Sequence, residues 1–184
     1  MDQDVPEVRF DPERAVRIFP RPVAKHAVLV PIPLTESGSE IPTFILAEWG
    51  DLQVFYGSYY GIVQGGEVIY GSAKDQWENM HSPITPGYWV KTSVPRAYRA
   101  TEPCRIVTMI PSDDDGIREA NFVLKVDDLI VRQPGGEVQH IKAEKFEGIY
   151  YTDDEAVLLG LIHMTDEQFA AWAVEMVREL VPSN

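Results

Sequence analysis

The sequence predicts an α+β fold: a β-rich body, built as a mixed or antiparallel sheet or a partial barrel, with two hairpin–helix units and a docked C-terminal helix. Three observations predict it. Short apolar and aromatic runs bounded by Gly, Pro, Asn and Asp fill most of the chain, which is the mark of strands and turns. The stretch QGGEV (Gln64–Val68) nearly recurs as PGGEV (Pro134–Val138), each time between β-rich runs. The end of the chain, MTDEQFAAWAVEMVREL, switches to helical spacing.

Residues 1–25 read as an arm laid over a single domain formed by 26–184. Pro6, Pro12, Pro20 and Pro22 exclude long regular elements there. HAVLV (His26–Val30) and TFILAEW (Thr43–Trp49) are strand candidates, separated by Pro31, Pro33 and the polar loop TESGSE. In DLQVFYG, Leu52, Val54 and Tyr56 alternate with Asp51, Gln53 and Phe55, a period of two. YYGIV and EVIYG flank Gly65-Gly66, a hairpin signal, because a type I′ turn needs positive φ at both central residues. Ser72 then opens SAKDQWENMH as an N-cap with Asp75 three residues on, and Trp77 and His81 share a helix face before Pro83 ends the helix.

PGYWVKT (Pro86–Thr92), RAYRA (Arg96–Ala100) and CRIVTMI (Cys104–Ile110) are strand candidates, and SDDDG (Ser112–Gly116) is a turn. REANFVLKV and DDLIVRQ lead to the second Gly-Gly pair and to EVQHI. KAEKFEGIYY begins as a helix, Asp153 and Asp154 cap a short helix EAVLLGL, and Thr165 with Gln168 forms a capping box for the last one. Along that helix Phe169, Trp172, Ala173, Met176, Val177 and Leu180 form one apolar stripe. The total is about nine strands and about three helices.

The two GGEV segments share more than four residues. Each follows a β-rich Ile-Val run, and each precedes a helix with an aromatic residue, Trp77 or Phe146, and a second ring four residues later, His81 or Tyr150. The pattern is an internal repeat over 52–81 and 122–151. The second copy, DDLIVRQPGGEVQHIKAEKFEGIYY, resembles a short module of uncharacterised bacterial and phage proteins. That module reads Pro-Gly-Asp-Trp/Tyr-Ile-Val, a Gly turn with Glu, then a helix with Phe and, four residues on, Tyr. Asp128, Ile130, Val131, Gly136, Glu137, Phe146 and Tyr150 match it; Asp127 stands where the module has Gly, and Leu129 where it has the aromatic. The resemblance covers residues 126–151 and implies a hairpin–helix fold and no known activity. The body of the chain is also similar to an uncharacterised bacterial family of about this length.

Composition narrows the partners. With 29 Asp and Glu against 16 Lys and Arg the net charge is −13, and no Lys/Arg cluster breaks the acidity, so neither nucleic acid nor a membrane surface is expected. The one cysteine, Cys104, excludes an internal disulfide and fits a reducing compartment. With an acidic start and no long apolar run, the expected location is the cytoplasm.

No motif assigns chemistry. His26, His81, His140 and His163 show no ligand spacing, SDDDG lacks the oxygen pattern of a calcium loop, and no Gly-rich loop opens a helix, so no metal or other cofactor is expected. Cys104 starts an apolar strand and reads as a buried small residue rather than a nucleophile. The candidate ligand-binding residues are the aromatic and cationic ones of the middle of the chain: Tyr56, Tyr60, Trp77, His81, Trp89, Arg96 and Arg99. Tyr and Trp join apolar area to a polar tip, and Arg binds anions or pairs with the surplus carboxylates; pairing is the expected use. A non-catalytic module that binds a small molecule or a protein is the first expectation. The second is an enzyme on a small anionic substrate, with His81 or His140 as acid–base and Arg96 or Arg99 as clamp. The third is a phage-like structural or assembly protein, forming an isologous homodimer through an apolar helix or an edge strand.

Overall fold

A computed structural model describes residues 5–48, 50, 52–110 and 117–181, with side chains left aside at 107–110 and 117–121. The expected SDDDG turn lies outside the described residues. The chain divides into two compact units: unit 1 comprises the residues up to Arg21 and Ser93–Phe169, and unit 2 comprises Pro22–Thr92 with the chain from Ala170 onward.

Unit 1 begins with β1 (Glu7–Val8) and β2 (Val16–Arg17). Unit 2 follows with β3 (Ala24–Val30), β4 (Thr43–Leu46), β5 (Leu52–Phe55), β6 (Tyr59–Gln64), β7 (Glu67–Ala73), α1 (Lys74–Met80), β8 (His81–Thr85) and β9 (Tyr88–Lys91). The chain then returns to unit 1 with β10 (Arg96–Arg99), β11 (Cys104–Ile110), β12 (Ile117–Leu124), β13 (Leu129–Arg132), β14 (Val138–Ile141), α2 (Ala143–Ile149), α3 (Asp153–Leu158) and, after a single 3-10 turn, the start of α4 (Asp166–Arg178), whose residues from Ala170 belong to unit 2. The α+β class is as the sequence predicts, and no sheet among the described residues closes into a barrel.

Unit 2 contains an antiparallel sheet in the order β7-β6-β3-β9-β8 and a separate hairpin, β4–β5. Ala27, Tyr60, Ile62 and Trp77 form its buried cluster, edged by Ile69, Tyr70 and Trp89. The outer edge of β7 is closed off. Glu48 donates its N–H to the Ile69 carbonyl at 2.8 Å, and the Gln53 side chain takes both polar groups of Gly71. An unpaired strand edge invites another chain, so the hairpin acts as its cover.

Unit 1 contains a seven-stranded sheet, β1-β11-β14-β13-β10-β2 with β12 added on β11, and only the β1–β11 pair is parallel. Side chains alternate across it as the strand period requires. Ile130 and Tyr98 join Cys104, Ile106, Leu124 and Val138 on one face. Leu129, Val131 and Ala97 join Ile18, Phe146 and Tyr150 on the other, under α2. The proline-rich start supplies β1 and β2 to this sheet.

The two hairpin–helix segments run through the same events. Gly65 and Gly66 both have positive φ, +61° and +89°, the two-residue turn that the sequence predicts. The second turn has three residues: Gly136 donates to the Gln133 carbonyl at 2.9 Å and takes φ +92°. The extra loop residue in the second copy is offset by a bulge between Ile62 and Val63 in the first, so that both helices start in register. Each helix has seven residues, buries its aromatic (Trp77, Phe146), and ends on the next ring (His81, Tyr150), whose N–H bonds to the aromatic's carbonyl. The strand beside each hairpin brings a buried alanine, Ala27 against Ile62 and Ala97 against Val131. Beyond the helix the pattern continues: Thr92 donates to the carbonyl of Met80, the last residue of α1, and Arg21 donates to that of Ile149, the last of α2.

Three details differ from expectation. Ser72 does not cap α1, because it still pairs with Tyr60 in the β6–β7 ladder, and the helix starts one residue later from Ala73 without a side-chain cap. The cap of α3 is Thr152, whose hydroxyl and the Glu155 carboxylate form a capping box, with Asp153 and Asp154 inside the first turn. In α4 the buried stripe is Phe169, Ala173 and Val177, while Met176 and Leu180 face solvent. The Thr165–Gln168 box is formed, with Thr165 N–H to Gln168 Oε1 at 2.8 Å.

Candidate functional site

Four of the seven candidate residues meet in unit 2. Trp77 stacks on His81 with centroids 3.7 Å apart and lies 5.9 Å from Tyr60 and 6.3 Å from Trp89. The sequence folds this way because α1 lays its Trp77 face on β6, and β8 starts at the very residue that ends the helix. Tyr60 donates to Glu78 at 3.0 Å, and Lys74 pairs with the same carboxylate at 2.6 Å. Trp77, Tyr60 and His81 are all buried, so these rings are packing rather than an open recognition face.

The cluster is electrostatically unusual all the same. A carbonyl only accepts, so the 3.2 Å contact with the Trp77 carbonyl fixes the proton on His81 Nδ1. His81 Nε2 and the Trp77 indole nitrogen are buried and without a partner among the described residues. Burial, with Lys25 and Lys91 nearby, brings the His81 pKa down to about 3. Burial and then Lys91 bring Lys25 down to about 8, with its ammonium 5.8 Å from the Trp77 ring.

The other three candidates lie elsewhere. Tyr56 is exposed next to β5. Arg96 and Arg99 sit on β10 in unit 1, and neither forms an ion pair with a carboxylate among the described residues. Arg96 stands between Arg17 and Arg132 in the sheet register. His140 packs on Phe122 at 4.1 Å, and burial lowers its pKa.

Arg99 lines an open cleft of about 500 Å³ in unit 1. Its origin is topological: β2 pairs with β10 only at Arg96 and Ala97, so the Tyr98–Arg99 end of β10 is an uncovered edge. The floor is apolar, from Ile18, Ala97, Leu129 and Phe146, and the rim carries Arg14, Arg99, Thr152, Asp153 and Asp154. Arg14 lies 4.4 Å above the Tyr98 ring and donates to the Arg99 carbonyl at 3.2 Å. Arg99 lies 5.3 Å above the Phe146 ring and donates to the Asp127 carbonyl at 3.1 Å. Each guanidinium is thus oriented by a ring and a carbonyl, with further N–H donors left for a ligand. Tyr98 is held in turn, donating to the Arg9 carbonyl at 3.1 Å, and burial keeps its phenol above the ordinary range.

Sequence reasoning found Arg99 and missed Arg14, Tyr98, Phe146, Asp153 and Asp154 as a group. They come from four separated segments, and no spacing in the sequence links them. Neither a histidine nor a cysteine lines the cleft. Among the described residues no group of His, Cys, Asp and Glu is placed to hold a metal ion, and no helix is long and apolar enough to cross a membrane. Compared with protein-family models, with curated proteins and with solved structures, this chain finds no match.

Proposed function

We propose that this protein is a non-catalytic binding module that takes a small carboxylate-bearing ligand in the unit 1 cleft. The supporting observation is the pair Arg14 and Arg99: two guanidiniums on the rim of one cavity, each held by a ring face and a backbone carbonyl rather than by a carboxylate. In a chain of net charge −13, where acidic partners abound, a cation kept from them is available to an outside anion. The apolar floor favours a ligand with an apolar or aromatic body. Asp153 and Asp154 across the rim favour a positive or hydroxylated group at its other end. An amino-acid-like zwitterion satisfies all three, and the cavity matches the size of small-ligand sites, roughly 300–1,000 Å³.

The test is isothermal titration calorimetry with a panel of aromatic and aliphatic amino acids, their amides and their decarboxylated amines. The amino acids should bind, and the amides and amines should not. Arg99→Ala and Arg14→Ala should each weaken binding about tenfold or more, the effect of losing a hydrogen bond to a charged group. Binding that ignores both arginine replacements, or no binding by any carboxylate, would sink the reading.

A further inference from the structure

The β4–β5 hairpin has one wholly apolar face, and that face is turned to solvent. Register places Phe44 opposite Val54 and Leu46 opposite Leu52, so all four side chains share a face. They are 61%, 40%, 68% and 63% exposed, and Tyr56, next in the same alternation, is 72% exposed. The reverse face is the one in use: Phe55 stacks on Tyr59 at 4.3 Å, and Gln53 holds Gly71. The hairpin is therefore anchored by its inner face, and the apolar outer face is not needed for that docking. A contiguous patch of this kind is an interaction surface rather than ordinary surface scatter.

We propose that this face binds the same face of a second copy of this chain, making an isologous homodimer. Three features select a second copy. The first is area. Five such side chains offer on the order of 500 Å² per copy, so a pair buries about 1,000 Å², the lower range of specific interfaces. The second is shape. A two-fold axis crossing the strands sets the Phe44–Val54 row of one copy on the Leu46–Leu52 row of the other. Two hairpins then pack as a small sandwich about 10 Å thick. The third is charge. The chain carries a net charge of −13, which opposes self-association in general, and these five residues carry no charge, so the face adds no repulsion of its own.

The experiment is sedimentation velocity of the full chain from about 1 to 100 µM, a span that brackets micromolar affinity. The wild type should sediment as a dimer at the upper end. Leu46→Glu should raise the dissociation constant by roughly 30-fold or more, as loss of a central apolar contact does. The thermal melt should show that the variant keeps its fold. If Leu46→Glu does not fold, Val54→Cys replaces it as the test. A bifunctional thiol cross-linker long enough to span about 10 Å between facing sheets and the ~7 Å offset between the two rows should then link two chains through residue 54, since Cys104 is buried and does not compete. A wild type that stays monomeric throughout overturns the proposal, as does a dimer that Leu46→Glu leaves intact or a folded Val54→Cys chain that forms no linked pair. So does a monomer that instead associates with lipid vesicles through this face.

Discussion

The side-chain amide of Gln53 holds both polar groups of Gly71: the Gly71 N–H donates to Oε1 at 2.8 Å, and Nε2 donates to the Gly71 carbonyl at 3.3 Å. A side chain thereby stands in for a neighbouring strand on the open edge of β7. The arrangement demands glycine at 71 for space rather than for backbone freedom. A Cβ there would lie 2.5 Å from Phe55 Cζ, 2.8 Å from Cε2 and 3.0 Å from Ile45 Cδ1.

Gly71→Ala is therefore expected to lower stability by about 1–3 kcal/mol, because the ring it meets is stacked on Tyr59 and has little room to retreat. Phe55→Leu in the same chain should recover part of the loss. Gln53→Ala should lower stability by about 1–2 kcal/mol through the two unmet peptide groups. Urea melts of the three variants check this; a Gly71→Ala chain as stable as wild type would show that the hairpin is not held against β7.

His81 contributes to the acid limb of stability. Its pKa lies at about 3 in the fold against an ordinary 6.5, with burial the main cause. The unfolded chain thus takes up a proton below pH 6.5 that the folded chain refuses until near pH 3. The stability associated with neutral His81 is complete above pH 6.5 and is lost as pH falls from there, at up to about 1.4 kcal/mol per unit. His81→Phe keeps a ring against Trp77 and removes the titration, so its stability should fall less between pH 6.5 and pH 4.5. Denaturant melts at several pH values decide it: equal slopes for both chains would place the titration elsewhere.

How much of this was legible in the sequence depends on whether local pattern or distant partners decide each feature. The Gly65-Gly66 turn, the Thr165–Gln168 box and the Trp77–His81 and Phe146–Tyr150 pairs are local matters, and the sequence shows them all. The aromatic candidates suit either a recognition face or the core, and most of them are core. Ring density looks the same from the sequence whether the rings face a ligand or each other. The alternation of Leu52, Val54 and Tyr56 correctly indicates a strand, but period two cannot say which face is buried. Here Gln53 and Phe55 go inward because Gly71 and Tyr59 receive them. The cleft was illegible because it exists only where β2 stops short along β10.

Asp127 and Asp128 start the second hairpin by opposite means. Asp127 has φ +72°, the one positive φ at a non-glycine position among the described residues, in a turn closed by Asp128 N–H to the Lys125 carbonyl at 3.2 Å. Left-handed backbone is strained for a residue with a Cβ, so Asp127→Gly should raise stability by about 0.5 kcal/mol. Asp128 does the reverse and should be irreplaceable. Burial alone would raise its pKa, but N–H donors of Lys125 and Ala143, both at 2.9 Å, with His140 nearby, outweigh this and hold it below the ordinary carboxylate range. Asp128→Asn keeps one acceptor oxygen and should lose about 1–2 kcal/mol at neutral pH. That gap should close as acid protonates Asp128, because a depressed carboxylate contributes stability above its unfolded pKa and loses it as pH falls through the folded one. A gap that stays constant down to pH 2 would show that shape, not charge, is at stake.

Arg96 is placed where a like charge is least welcome, directly opposite Arg17 on one side and Arg132 on the other. Arg17 is relieved by Asp166 at 2.6 Å, while Arg132 lies 5.8 Å from the Phe10 ring. Like charges directly across a sheet destabilise it by a few tenths of a kcal/mol or more per pair. Arg96→Thr, a better strand former without charge, is therefore expected to stabilise the protein by about 0.5–1 kcal/mol at low ionic strength. Salt screens the repulsion, so the gain should shrink in about 1 M salt, where the screening length falls to roughly 3 Å. Thermal melts of both chains in low and high salt measure it. A variant less stable than wild type at low salt would mean that Arg96 has a compensating partner and is held in place by it.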